Sequence, residues 1–188
     1  MVTGKIKSND RISIKESPHQ TLIEVRSYAD PGKQNLLLLW IIAWLAAGII
    51  IFIRLFLDYP RNQKLFFFVF LAFWFYYAWK SVKAYFWRKN GSEVFVFRPG
   101  KLIYMRKINQ RGLEQSFHLN HIKNLRNILP EISSFSRIFH QSYWSIGGET
   151  IGFDYDGSTY VCGLELDEKD QKKLLKLLQQ NIKKFCDD

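Results

Sequence analysis

LFFFVFLAFWFYYAW, residues 65–79, runs for fifteen positions without a charge, and ten of the fifteen are aromatic. A soluble helix carries a polar stripe to meet water, and this segment has none. Fifteen residues are short for a membrane span, which takes about 20, but the helical pattern continues through Lys80 and Lys83 to Trp87. Lys80 and Lys83 stand three apart on one helical face, so their ammonium heads can reach water while Val82, Tyr85 and Phe86 stay at an interface. Trp74, Tyr76, Tyr77, Trp79 and Trp87 suit the aromatic belt that marks a membrane boundary. The stretch therefore reads as a helix over 65–87 that lies in lipid.

A second span precedes it. Residues 36–53, LLLLWIIAWLAAGIIIFI, are eighteen apolar positions. With Arg54 to Leu57 they complete a helix over 36–57, long enough at about 1.5 Å per residue to cross a hydrocarbon core of about 30 Å. Arg54 sits near the end of that span, where its stem can snorkel to the interface. Only DYPRNQK, residues 58–64, separates the two helices, and Pro60 breaks the chain there, so they must be antiparallel neighbours. Both chain ends then face one compartment. Arg26, Lys33, Lys80, Lys83, Arg88 and Lys89 flank the outer ends, against Arg54, Arg61 and Lys64 near the loop, and this excess places both termini in the cytoplasm.

Composition agrees with segregated segments. Sixteen Phe, nine Tyr and six Trp coexist with 27 Lys and Arg against 17 Asp and Glu, a net charge of +10. Cys162 and Cys186 show no paired spacing, so neither a disulfide framework nor a zinc site is expected, and both read as reduced thiols. The first 34 residues lack an apolar run behind a basic start, so no cleaved signal peptide is expected. They do hold two strand-like stretches, RISIKE (11–16) and TLIEVRS (21–27), which could add strands to a sheet on the same side of the membrane.

From residue 88 to 188 the pattern changes. Turn signals recur at Asn90-Gly91, Pro99-Gly100, Asn109 to Gly112, Gly147-Gly148 and Asp156-Gly157, which indicates an antiparallel meander. The runs between them are EVFVF, KLIYMRKI, LEQSFHL, RIFHQSYWSI, TIGFDY and STYVCGL. In TIGFDY, Ile151, Phe153 and Tyr155 share one face, as in a half-buried strand. A helix over 167–185 closes the domain, with Asp167 as its N-cap and Leu174, Leu175, Leu178, Ile182 and Phe185 as the stripe that packs on the sheet.

The order GSEVFVFRPGKLIYMRKI, FHLNHIKNL and GETIGFDYDGSTYVCGLELDEKDQKKLLKLL resembles the small bacterial pleckstrin-homology-like domains from Gly91 to Gln180. The whole chain resembles a family of bacterial membrane proteins in which a two-span hairpin precedes such a domain. The resemblance implies an α-helical membrane hairpin plus an α+β cytoplasmic domain, in which a barrel or curved antiparallel sheet of about seven strands is closed by a C-terminal helix. It also implies the bacterial inner membrane. Patterns of hydrophobicity and turns specify a fold far better than an activity.

Motifs for chemistry are sparse. Glu114, His118 and His121 would align on a helix, but LEQSFHL alternates like a strand and no fourth ligand follows, so no metal is expected. Cys162 reads as a small core residue, Cys186 lies at the chain's end, and neither a phosphate-binding Gly-rich loop nor a Gly-x-Ser-x-Gly elbow occurs. No enzyme activity and no cofactor are expected.

Charge placement says more. Lys80, Lys83, Arg88, Lys89, Arg98, Lys101, Arg106, Lys107 and Arg111 face the single acid Glu93, whereas Glu149 to Asp170 carries seven acids against Lys169. Such a basic band beside the second span would feel an anionic leaflet, at about 1 kcal/mol per residue held near it. Lys80, Lys83, Arg88 and Lys89 are accounted for by topology, and the other five are the headgroup candidates. Nucleic acid is not expected, because the charge concentrates beside the membrane. The aromatic surface of the spans, including Trp40, Trp44, Phe70, Phe73, Trp74 and Tyr77, offers rigid contact area to neighbouring helices. The expected function is an accessory or scaffold subunit of a larger membrane protein complex; the alternative is a binder of anionic headgroups.

Overall fold

A computed structural model of the chain describes residues 11–128 and 146–186. Strands β1 (Ile12–Ser17) and β2 (Gln20–Arg26) come first, then helices α1 (Pro31–Arg54) and α2 (Arg61–Asn90). Strands β3 (Gly91–Arg98), β4 (Lys101–Ile108) and β5 (Arg111–His118) follow, then a 3-10 turn (Leu119–His121), β6 (Ile122–Asn127), β7 (Glu149–Tyr155), β8 (Ser158–Leu164) and α3 (Glu168–Cys186).

Helix α1 starts five residues before its apolar run because Asp30 caps it. The Asp30 carboxylate accepts from the N–H groups of Gly32 (2.9 Å) and Lys33 (3.2 Å), and Pro31 occupies a first-turn position where a missing N–H is harmless. With 24 and 30 residues, the two helices are about 36 and 45 Å long. Their most apolar windows have mean hydropathy 2.9 and 1.5, so both are long and apolar enough to cross a membrane. Only 17% and 11% of those windows is buried within the molecule, so neither is the core helix of a soluble domain.

What is covered forms a seam. On α1 the less exposed positions include Gln34, Leu37, Ile41, Trp44, Gly48 and Ile51, followed by the capping Leu55, and on α2 they include Lys64, Phe67, Leu71, Trp74, Ala78, Ser81, Tyr85 and Arg88. The steps alternate between three and four residues, the spacing of a coiled-coil seam. Each indole of Trp44 and Trp74 donates to the other residue's backbone carbonyl, at 3.4 and 3.0 Å. Gly48 makes room for this pair: a Cβ there would stand 2.1 Å from the Trp74 ring.

Among the described residues, eight strands form two antiparallel sheets, β1-β2-β3-β4-β5 and β6-β7-β8, and no barrel closes among them, where a barrel or one curved sheet of about seven strands was expected. The N-terminal hairpin adds its two strands to the larger sheet, in keeping with the strand-like stretches at 11–16 and 21–27: it joins through β2, where Ile23 faces Phe95 and Val25 faces Glu93. Strand β6 was not anticipated, and the expected strand RIFHQSYWSI falls, but for Ile146, outside the described residues.

Asn90-Gly91 is not a turn. Helix α2 ends at Asn90 and β3 begins at Gly91 with extended backbone, so no linker intervenes. Only glycine fits, because a Cβ on Gly91 would lie 2.3 Å from the Trp87 carbonyl oxygen and 2.7 Å from its indole. Between the sheets lies the core: Ile23, Phe95, Phe97, Phe117, Ile151, Phe153 and Cys162 are all buried. Phe117 meets Phe153 and Tyr160 edge to face, at 5.2 and 4.7 Å between centroids. Helix α3 seals one end as anticipated, with the Asp167 carboxylate accepting from Asp170 N–H (2.7 Å) and Leu174, Leu178 and Phe185 buried.

Gly48→Leu is expected to destabilise the helix pair by about 1–3 kcal/mol through overpacking against Trp74, whereas Ala47→Leu, on the exposed side, should be neutral. Thermal unfolding of the full chain in detergent checks this, and equal midpoints for the two variants would contradict the Gly48–Trp74 seam.

Candidate functional site

On β3 the inward side chains are Glu93, Phe95 and Phe97, so strand alternation places a carboxylate in line with two buried rings. Glu93 is 1% exposed. A buried carboxylate is tolerable only when its lone pairs are used, and here they are. One oxygen accepts from the Tyr104 hydroxyl (2.5 Å) and Arg106 Nε (3.3 Å). The other accepts from the backbone N–H groups of Gly163 (2.9 Å) and Leu164 (3.0 Å). Arg106 stands directly opposite Glu93 in the β3–β4 register, and Tyr104 stands diagonally.

Arg106 extends the network. Its guanidinium also donates to Tyr104 Oη (2.7 Å), Glu149 Oε1 (3.3 Å) and the Val161 carbonyl (2.9 Å). In the β7–β8 hairpin, Tyr155–Ser158, Phe153–Tyr160 and Ile151–Cys162 face one another across the ladder. The Asp156-Gly157 loop makes Tyr155–Ser158 a hydrogen-bonded pair, so the Val161 carbonyl and the Gly163 N–H are left to the free edge of β8, while the Gly163 carbonyl accepts from the Thr150 hydroxyl on β7. Glu93 and Arg106 thus satisfy, with side chains, edge groups that a neighbouring strand would otherwise satisfy.

Protonation is fixed within this network. Burial, then the Glu93 charge, pushes the Tyr104 hydroxyl well above its ordinary value, so it remains a donor. Burial alone would lower Arg106, but Tyr104 and Glu93 outweigh it and hold the guanidinium above its ordinary value. Burial likewise raises the Cys162 thiol, which leaves it a core side chain rather than a nucleophile.

A second group of contacts fixes the end of α2. Trp87 and Arg88 are 3% and 2% exposed. Arg88 pairs with Glu165 just after β8, and Arg11 Nη1 donates to the Glu165 carbonyl at 2.8 Å. Burial raises the Glu165 pKa, with Arg88 and Arg11 pulling against it. Just after β2, the Ser27 hydroxyl reaches the carbonyls of Trp87 (2.7 Å), which also accepts from the capping Gly91 N–H, and of Arg88 (3.0 Å). At the start of α1, Gln34 Nε2 donates to the Tyr85 carbonyl (3.1 Å).

These contacts redistribute the nine cations expected to form one basic band. Arg88 is interior and paired with Glu165, and Arg106 belongs to the Glu93 network, so neither is presented to headgroups. Trp87 is likewise packed against the domain instead of joining an aromatic belt. Lys80 and Lys83 are exposed on α2, their ammonium groups 5.0 and 5.6 Å from the Tyr76 and Trp79 ring centroids. Lys89, Lys107 and Arg111 gather near the α2 end of the sheet, because Lys107 pairs with Gly112 and Arg111 with Ile108. Arg98 and Lys101 sit at the opposite end of the β3–β4 hairpin, about 23 Å along the strand.

The helix-contact candidates also divide. Trp44 and Trp74 bond each other inside the hairpin, while Phe70, Phe73 and Tyr77 are 37%, 64% and 43% exposed; Trp40 stacks on Trp44 at 4.9 Å. Glu114 and His118 lie on β5, and His121 pairs with Asp156 at 2.9 Å. Sequence reasoning had a signal for Glu93, the single acid among nine cations, but none for its backbone partners seventy residues away. No family model matches the chain, and no curated protein or solved structure is significantly similar to it.

Glu93→Ala leaves Arg106, Tyr104 and two backbone N–H groups without their acceptor and is expected to cost about 3–5 kcal/mol. Glu93→Gln, which keeps one acceptor oxygen, should cost less. Urea unfolding of the full chain in detergent, followed by circular dichroism, reads both; wild-type stability in Glu93→Ala would contradict the assigned role.

At the far side of sheet β6–β8, Arg126, Asn124 and Thr159 hydrogen-bond Asp154 and hold its pKa down to about 2 from 3.8. A depressed folded-state value gives stability that is present above 3.8 and lost as pH falls toward 2. Asp154→Asn should therefore flatten that part of the acid limb in a series of urea midpoints against pH. An unaltered limb would contradict the assignment.

Proposed function

We propose that this chain is a non-catalytic, membrane-anchored accessory subunit that holds a cytoplasmic, pleckstrin-homology-like domain in fixed orientation within a larger membrane protein complex. In this reading α1 and α2 span the bacterial inner membrane and both termini lie in the cytoplasm. The observation that carries it is the junction at Asn90-Gly91. Helix α2 passes into the central strand of the larger sheet with no linker, and its last turn is held by Ser27 and Glu165. A tethered sensor needs slack, and a linker supplies it. A domain fixed to a helix end instead presents one surface at one height, which suits a subunit docked among others.

The exposed stripe of Phe70, Phe73 and Tyr77 supports docking through the helices. Large rigid aromatic side chains give contact area at little entropic cost. Helix α3 closing the paired antiparallel sheets supports the pleckstrin-homology-like assignment of residues 88–188, to whose larger sheet β1 and β2 are added.

Purification of the full chain from native membranes in mild detergent should yield a stoichiometric integral membrane partner. Phe73→Ala with Tyr77→Ala should lower the recovered partner about tenfold, the scale of a truncated interface hot spot. A clean monomer under all gentle conditions would overturn the proposal.

A further inference from the structure

Beside the end of α2 lies an open polar cleft of about 540 Å³, within the range of ligand-binding clefts, about 300–1,000 Å³. Its walls come from three places in the chain: the end of β2 (Arg26), the end of α2 (Lys89), and the β3–β4 region with the following turn (Ser92, Lys107, Gln110). The sheet register sets this convergence. Arg26 faces Ser92 across β2–β3, and Ser92 faces Lys107 across β3–β4, so the three form one row on one face of the sheet. Arg26 and Lys89 are exposed, and Lys107 is partly so. Neither Lys89 nor Lys107 has a carboxylate partner among the described residues; Arg26 stands 3.8 Å from Glu24, the one acid in the cleft.

Three cations, one carboxylate, two hydroxyls and three side-chain amides make a site for an anion with several acceptor oxygens. The cleft's place in the fold narrows the source of that anion. It adjoins the end of α2, and the Gln34–Tyr85 bond puts the start of α1 beside that same end. Where two apolar helices leave a bilayer, the groups at their ends meet the phosphate layer.

We propose that this cleft binds the phosphate group of an anionic phospholipid, with Arg26, Lys89 and Lys107 as the cationic contacts and Ser92 as a hydroxyl donor. The proposal rests on the hairpin lying in the bilayer, and it excludes from the site the distal pair Arg98 and Lys101. Residues in the cleft fix the height and tilt of the sheet domain against one leaflet, in addition to the anchoring by the helices.

The test uses the full chain reconstituted into vesicles of equal phosphatidylglycerol and phosphatidylcholine, then gently extracted, with bound lipid identified by native mass spectrometry. Wild-type protein should retain phosphatidylglycerol in excess. Combined Arg26→Gln, Lys89→Gln and Lys107→Gln should reduce that excess about tenfold or to parity, and Lys107→Glu alone should reduce it partway. Arg98→Gln with Lys101→Gln should leave it intact. Parity in the wild type, or the same excess in the triple variant, would overturn the proposal. Binding of inorganic phosphate to protein in a purely zwitterionic bilayer, with no enrichment of phosphatidylglycerol, would overturn the lipid source. Vesicle flotation, scored separately, keeps the two readings apart: a chain that floats without enrichment overturns the cleft alone, and one that does not float overturns both.

Discussion

The buried carboxylate of Glu93 is the constraint on which the two sheets depend. A three-stranded sheet with a free edge is a poor structure by itself, because the edge exposes unpaired backbone groups. Here the edge of β8 is satisfied by the side chains of Glu93 and Arg106, which reach it from β3, the central strand of the larger sheet, and its neighbour β4. The sheets are therefore joined at one end by four directed hydrogen bonds, two from the Gly163 and Leu164 N–H groups to Glu93 and two from Arg106 to Glu149 and the Val161 carbonyl, and at the other by the Phe117, Phe153 and Tyr160 cluster. Replacing the network with apolar groups of the same shape need not cost stability, but an apolar residue could not fix which part of β8 lies against β3.

The same strand that carries Glu93 is the continuation of α2. Two residues separate Asn90 from Glu93. Any tilt of the helix must therefore be felt by the carboxylate network, and Ser27 and the Arg88–Glu165 pair brace the junction from β2 and from the end of β8. Helix pair and sheet domain form one mechanical unit by this route. A unit of that kind brings the basic cleft to the level of the helix ends.

Much of this was legible in the residues. The two apolar helices followed from length and the lack of polar positions, and the closing helix from the Asp167 cap and the Leu174–Phe185 stripe. The seam between α1 and α2 was not, because in a uniformly apolar segment no contrast marks which face packs; Gly48, read alone, gives no sign of the Trp74 ring against it. Arg88 and Arg106 were misplaced for a related reason: counting cations treats all of them as exposed, and burial of a guanidinium requires partners, Glu165 and Glu93, that lie far away in sequence. Asn90-Gly91 has the composition of a hairpin turn, yet the glycine serves close packing against Trp87. In β6, the exposure pattern of IKNLRN does not alternate, so periodicity could not reveal it.

Rigid coupling between the helix pair and the sheet domain is the central claim, and a distance across the junction measures it. Spin labels at Phe75→Cys on α2 and Lys101→Cys at the far end of the sheet, in a chain carrying Cys186→Ser, can be read by double electron–electron resonance in lipid nanodiscs. Cys162 is fully buried and would not be labelled. A single narrow distance distribution, the same in nanodiscs and in detergent, is predicted; a broad distribution spanning many ångströms would show a hinge at Gly91 and contradict the account.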